Sequence, residues 1–364
     1  MSKVSIIALS NIKEVALQVD EYLKEITNSN ESYLIDNEEI RFSNGEGKIK
    51  LLNTIRGHDV YIMSDIGNHS ISYQMHGKTN YKSPDDHFQD IKRVISAIRG
   101  HADKITLIMP LLYASRQHRR KGRESLDCAL ALQELERLGV ETLITFDAHD
   151  ENIQNVVPLQ SFENFFPTVN IINEIIKNEE INYQNTIVIS PDTGAFNRAR
   201  YYADMLKVDV GIFHKRRDLT KVVNGKNPVI AHEYLGKDIK GKDCIVVDDI
   251  ISSGESMIDV ARELKRRGAN RIFLASTFGL FCNGPEFFEE EYKKGSFNRV
   301  YTTNLTYVDY KIKNAIWHNS VNCSKFIAKI IDQVSKNESI TPYLHGDPDV
   351  VENVQKKLTK KMYK

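Results

Sequence analysis

The chain has no excess of either charge: its 364 residues carry 49 Lys and Arg against 49 Asp and Glu. Nothing global therefore draws it to DNA, RNA or an anionic membrane, and any basic site must be local. Cysteine is scarce, with only Cys128, Cys244, Cys282 and Cys323, far apart and with no C-x-x-C pair. That argues against a disulfide framework or a zinc site, and the four read as reduced, packed thiols. No apolar run approaches the roughly 18–20 residues that a bilayer span needs. Met1–Ser10 lacks the features of a signal peptide and reads as a strand. The cytoplasm is the expected compartment.

What is present is an ordinary apolar share of 41%, in a chain too long for one comfortable core. Strand-length apolar runs (Val4–Leu9, Val60–Ile62, Ile105–Met109, Thr142–Phe146, Thr186–Ile189, Cys244–Val247, Arg271–Ala275) alternate with segments of helical period. This alternation predicts an α/β architecture with mainly parallel sheets. Two stretches read as copies of one unit, "LQELERLGVETLITFDAH" (Leu132–His149) and "ARELKRRGANRIFLASTFG" (Ala261–Gly279). Each is a helix end, a glycine suited to a left-handed cap (Gly139, Gly268) and then a strand. Two similar domains are expected, over residues 1–166 and 167–342, with the join at "NFFPTVN" before a helix at Val169–Lys177. Residues 343–364 read as a solvated or partner-packed tail.

The densest chemistry lies in "IVVDDIISSGES", Ile245–Ser256. A β-branched strand ends in Asp248 and Asp249, at the edge where open α/β sheets place their ligands. Ser252, Ser253, Gly254, Glu255 and Ser256 lead into a helix whose apolar positions Met257, Val260, Ala261 and Leu264 share one face. Helix N–H groups, a glycine and hydroxyls make a phosphate cradle. Adjacent carboxylates can accept hydrogen bonds from two sugar hydroxyls or hold water on magnesium. A ribose 5-phosphate end satisfies both halves; an ordinary serine cap after an acidic turn is the plainer alternative.

The stretch resembles the phosphoribosyl pyrophosphate-binding motif shared by phosphoribosyltransferases and ribose-phosphate pyrophosphokinases. Four more stretches, "RFSNGEGKIKL" (Arg41–Leu51), "YASRQHRRKGRE" (Tyr113–Glu124), "DAHDENIQ" (Asp147–Gln154) and "ISPDTGAFNRA" with "FHKRRD" (Ile189–Ala199, Phe213–Asp218), resemble the other signatures of the ribose-phosphate pyrophosphokinase family. The resemblance runs from about residue 4 to 342. It implies two phosphoribosyltransferase-like domains and transfer of the pyrophosphoryl group of ATP to the 1-hydroxyl of ribose 5-phosphate, with Mg2+. It further implies catalytic roles for Lys215 and Arg217 on a closing loop, metal-linked positions at His149 and Asp192, and ATP contacts from Arg116 and Gln117. Phe42, Asn44 and Glu46 match a segment that reaches adenine held by a neighbouring subunit, which implies a homo-oligomer with a shared site. From the residues alone, Asn44–Gly45 reads equally as a plain hairpin turn, and "HKRRD" as a solvated basic turn.

The chain departs from the family pattern. Ser252 stands where the family has Asp, Ser253 and Ser256 where it has Thr, and Glu255 where Gly is common; His118 and Asn44 each replace an Asp. Serine keeps the hydroxyl of threonine, but Glu255 sets a charge beside a bound phosphate unless its side chain turns away. Besides an active enzyme, a catalytically silent regulatory homologue and a phosphoribosyltransferase therefore stay open. The last does not explain Arg116–Gln117, Phe42–Glu46 or the two-domain length.

Overall fold

The computed structural model describes residues 3–98, 100–120, 122–217 and 229–362, with the side chains of 215–217, 229–232 and 360–362 outside that description. The chain folds as two compact units. The first comprises Met1–Pro167, Asn304–Tyr307 and Asn322–Pro348, and the second Thr168–Thr303, Val308–Val321 and Asp349–Lys364.

The first unit contains β1 (Lys3–Ala8), β2 (Asn37–Arg41), β3 (Gly47–Leu51), β4 (His58–Met63), β5 (Ser72–Met75), β6 (Lys78–Tyr81), β7 (Lys104–Ile108), β8 (Thr142–Phe146) and β9 (Ser161–Phe165), with helices α1 (Lys13–Thr27), α2 (Pro84–Ile98) and α3 (Asp127–Arg137). Its core sheet is wholly parallel, in the order β1-β4-β7-β8-β9, and two antiparallel hairpins, β2–β3 and β5–β6, stand apart from it. Every residue of β4 is buried, as an interior parallel strand covered on both faces requires.

The second unit carries α4 (Thr168–Asn178), β10 (Thr186–Ser190), α5 (Phe196–Leu206), β11 (Asp209–Arg217), β12 (Val229–Leu235), β13 (Asp243–Ile251), α6 (Glu255–Arg266), β14 (Ile272–Gly279), α7 (Gly284–Lys293), β15 (Arg299–Thr303), α8 (Tyr310–Lys313) and β16 (His318–Val321). α9 (Ser324–Ser335) returns to the first unit and packs on α1. The sheet order is β12-β11-β10-β13-β14-β15-β16, parallel except for β12 against β11. Alternate residues Ile187, Ile189, Cys244, Val246, Ile272, Leu274 and Val300 share a buried cluster with Met257, Val260, Ala261 and Leu264 of α6. The period of two in the strands thus meets the period of 3.6 in the helix.

All seven expected strands form, and the expected helix appears as α4. The two copied stretches close alike. Gly139 (φ +92) and Gly268 (φ +85) adopt left-handed backbone. Val140 N–H donates to Leu135 C=O and Ala269 N–H to Leu264 C=O, which makes both ends Schellman caps.

The tail differs from expectation. It forms α10 (Pro348–Met362), where Val354 and Leu358 are buried and Lys357 Nζ donates to Asn173 of α4 at 3.1 Å. Its i, i+4 apolar pair makes this a packed helix and not a solvated appendage.

Asp65, just past β4, fastens the segment Asn304–Tyr307 to the first unit. Its carboxylate accepts from Thr306 Oγ1 (3.0 and 3.2 Å), Tyr307 N–H (2.7 Å) and Gly67 N–H (2.9 Å). Burial pushes its carboxyl up to about 7 against the pull of these donors. The folded form therefore binds a proton that the unfolded chain releases near pH 4. The resulting stabilisation is complete below about pH 4 and is lost as pH rises towards 7. Urea unfolding followed across that window is expected to show a downward slope with rising pH that Asp65→Asn flattens.

Candidate active site

In the second unit the candidate residues collect at the carboxyl edge of the sheet. β10 pairs with β13 only as far as Ile189 opposite Val246, whereas β14 accompanies β13 to Ile251. Asp248 and Asp249 thus lie inside an extended β13 and not after it, in a stretch flanked on one side only. The pair divides its work. Asp249 is buried, its Oδ1 accepts Ile250 N–H at 2.8 Å, and its carbonyl accepts Ser276 Oγ at 2.8 Å, so it shapes the backbone. Asp248 is half-buried, with Oδ1 3.9 Å from Arg198 of α5. Burial and then the Asp249 carboxylate push Asp248 well above the usual carboxylate range, against the pull of Arg198 and with a smaller push from Asp192.

Asp192 follows β10 and turns the chain into α5, its Oδ1 accepting N–H from Gly194 (2.9 Å) and Ala195 (3.2 Å). Sequence reading missed Arg198. It falls within the quoted "ISPDTGAFNRA" stretch, but only the packing of α5 beside β13 brings it to Asp248.

Three residues, Ser252, Ser253 and Gly254, connect β13 to α6. Ile258 N–H to Gly254 C=O is the first bond of the helix ladder, so the N–H groups of 255–257 precede it, at the positive end of the helix. Gly254 (φ +85) faces protein and not open space, since a Cβ there would overlap the Phe288 ring. Its absence of side chain serves packing first and ligand approach second. Glu255 resolves the concern its charge raised: Asn283 Nδ2 donates to its Oε1 at 3.4 Å, drawing the carboxylate towards the start of α7. Ser252 is held from the same side, its carbonyl accepting Cys282 N–H at 2.8 Å.

The first unit holds the remaining described candidates. Arg116 and Gln117, both exposed, follow Ala114, which sits in left-handed backbone (φ +53). His149, also exposed, follows Asp147, again left-handed (φ +44). Such backbone costs a non-glycine residue roughly 1–2 kcal/mol; it turns the chain directly after β8 and within the connection that follows β7. His118 Nδ1 donates to Ser115 C=O (3.0 Å), which leaves Nε2 to accept from Arg119 (2.8 Å); Asp150 lies 3.2 Å from that nitrogen, and the centroids of the His118 and His149 rings are 5.4 Å apart.

Phe42, Asn44 and Glu46 form the tip of the β2–β3 hairpin, as the plain hairpin reading expects. Phe42 is 48% exposed. Asn44 Nδ2 donates to Glu46 Oε2 (3.0 Å), and Glu46 N–H to Asn44 Oδ1 (3.1 Å).

Lys215 and Arg217 differ from expectation. Their backbone belongs to β11, opposite His232 and Val229 of β12, and not to a loop. Their side chains, with residues 218–228 of the expected closing segment, lie outside the described residues.

Among the described residues no three His, Cys, Asp or Glu are grouped to hold a metal ion. Asp192 and Asp248 are hard oxygen donors, and the charge of Asp192 adds to the upward push on Asp248, a repulsion that a cation would relieve. They suit a magnesium ion that takes one or two protein ligands and fills its shell with phosphate oxygens and water. No described helix is long and apolar enough to cross a membrane.

A largely parallel sheet whose acid-bearing strand turns through a short serine-glycine loop into a helix defines a protein of the phosphoribosyltransferase type. Residues 166–314 match the phosphoribosyl transferase domain, and residues 4–139 match the N-terminal domain of ribose phosphate pyrophosphokinase. The chain belongs to the ribose-phosphate pyrophosphokinase family. Similar proteins include the ribose-phosphate pyrophosphokinases of Pasteurella multocida and Buchnera aphidicola, each 29% identical over 307 residues, 83% of this chain and 88% of theirs. That of Vibrio parahaemolyticus is 28% identical over the same share. The fold is like that of phosphoribosylpyrophosphate synthetase from Mycobacterium smegmatis, with TM-score 0.75 and 22% identity over 92% of this chain and 99% of that one.

Gly254→Ala is expected to destabilise the protein by roughly 2–3 kcal/mol, from overlap with Phe288 and the left-handed backbone. Phe288→Leu in the same chain should recover part of that loss in chemical denaturation, which a pure ligand-contact role for Gly254 would not allow.

Proposed function

We propose that the protein is a ribose-phosphate diphosphokinase, converting ATP and ribose 5-phosphate to phosphoribosyl pyrophosphate and AMP. The observation that carries this reading is the β13–loop–α6 arrangement, in a chain of this family. It offers N–H groups and hydroxyls of Ser253 and Ser256 to a phosphate, and Asp248 to sugar hydroxyls, with Asp249 bracing the strand behind it. Ser252 keeps a hydroxyl at the ribose position, and Glu255 is turned towards Asn283.

In the reaction the 1-hydroxyl oxygen of the sugar bonds to the β-phosphorus of ATP, the bond from that phosphorus to the α-phosphate oxygen breaks, and the hydroxyl proton is released as AMP leaves. The moving group carries spread negative charge, so the protein's work is alignment and cationic stabilisation. Lys215 and Arg217 supply those cations. Arg116 and Gln117 take the nucleotide, and Phe42, Asn44 and Glu46 its base: the ring stacks while Glu46 and Asn44 read the amino group. The last assignment makes the enzyme a homo-oligomer with each site completed by a neighbouring subunit. The cation implied is Mg2+: Asp192 and His149 are its candidate ligands, and it would neutralise phosphate charge. Of the two residues, Asp192 is the harder donor. The cytoplasm is the compartment.

A catalytically silent regulatory homologue is the second reading, favoured by Ser252 and by His118 in place of acids. Purified protein given ATP, Mg2+ and ribose 5-phosphate decides between them. Sugar-dependent AMP is expected, with turnover falling at least about 100-fold in Lys215→Ala. Folded wild type that forms no AMP, or Lys215→Ala equal to wild type, would sink the enzyme reading or the lysine's role respectively.

A further inference from the structure

The hairpin tip of residues 42–46 is governed by the residue just before it. The Arg41 side chain is only 10% exposed, unusual for an arginine on a surface hairpin. Its NH1 donates to Gly45 C=O and lies beside Asp86 Oδ1, both at 3.2 Å. Its NH2 reaches both oxygens of Asp90, at 3.4 and 3.2 Å. The guanidinium also sits 5.0 Å over the Tyr73 ring of the second hairpin. One planar fork thus joins the tip carbonyl, α2 and β5, a geometry that an ammonium cannot reproduce.

Asp90 is the hub behind it. Its side chain is 4% exposed and receives Lys82 Nζ at 2.9 Å and Arg93 NH1 at 2.6 Å besides Arg41. Lys82 also binds Glu39 of β2 at 2.8 Å, and Glu39 accepts from Ser10 Oγ at 3.0 Å. Burial works to raise the Asp90 carboxyl, but the three cations outweigh it and hold it below its ordinary value. From the other side, His76 N–H donates to Ser43 C=O at 2.9 Å, and a side chain at Gly45 would strike Met75. An apolar patch would fasten a surface hairpin at less desolvation cost. What the charged fork adds is direction, because it fixes the carbonyl inside the turn itself.

We propose that Arg41 is a positioning residue for nucleotide recognition: by tying the Gly45 carbonyl to Asp86, Asp90 and Tyr73, it sets the turn from which Phe42, Asn44 and Glu46 meet the base. This rests on the ATP reading above. Arg41 itself touches no substrate; it fixes the orientation of those that do. Loss of the fork frees the tip while leaving the sheet and the ribose 5-phosphate loop as they were.

The test compares Arg41→Met, Arg41→Lys and Val19→Ala, the last a buried residue of α1 that lowers stability without touching the hairpin. In Arg41→Met the KM for ATP is expected to rise about tenfold or more as the tip loses its fixed turn. KM for ribose 5-phosphate should stay within about twofold and kcat within about threefold. Hydrogen exchange at the Phe42 and Gly45 amides, which donate to Glu46 and Phe42 carbonyls, should quicken in Arg41→Met, less in Arg41→Lys, and not in Val19→Ala. Arg41→Lys carries the comparison if Arg41→Met does not fold. An active wild type with an unshifted KM for ATP in the arginine variants, unchanged exchange at the tip, or an equal KM shift in Val19→Ala would each overturn the assignment alone. A wild type that forms no sugar-dependent AMP removes the ATP reading and this assignment with it.

Discussion

A parallel sheet buried on both faces leaves polar side chains one exit, the strand ends. The interior strands β4, β13 and β14 are built from residues nearly all out of contact with water, so chemistry cannot reside along them. In each unit it collects at the carboxyl edge instead. Asp65 follows β4, His149 follows β8, Asp192 follows β10, and Asp248 protrudes where β13 outruns β10. The same constraint accounts for the left-handed Asp147, directly after β8. A chain leaving a packed strand must turn at once to expose its next side chains, and the local cost is met by burial of the strand itself.

Much of this was legible in the sequence because burial on two faces writes itself as continuous β-branched runs, and burial of one helix face as i, i+3, i+4 spacing. Met257, Val260, Ala261 and Leu264 are all buried, as that spacing requires. Gly139 and Gly268 were readable because few other residues tolerate their φ. The short strands β9, β15 and β16, with mixed polar residues, carry no such signature and show themselves only by their pairing.

The site was legible as a set of residue types and less so as a set of roles. That Asp249 braces its own backbone while Asp248 faces Arg198 depends on which side of a strand each occupies relative to neighbours far away in sequence. Gly254 is another case, because the ring that forbids a side chain there comes from Phe288, in a different helix. The Lys215–Arg217 stretch, basic and flanked by turn-forming residues, reads as a loop; β11 continues through it because β12 returns antiparallel and satisfies its backbone. Charge signalled the tail's solubility, yet Val354 and Leu358 are buried and Lys357 between them bonds Asn173 of α4.

The two matched helix–strand stretches differ in the connection that leads into each helix. Between β13 and α6 there are three residues, while between β7 and α3 the chain runs through 109–126. A connection that short has almost no conformational freedom to surrender, so whatever settles on it meets a surface already in its final shape. The two stretches thus share one helix cap and one following strand, and differ in how directly the chain enters the helix.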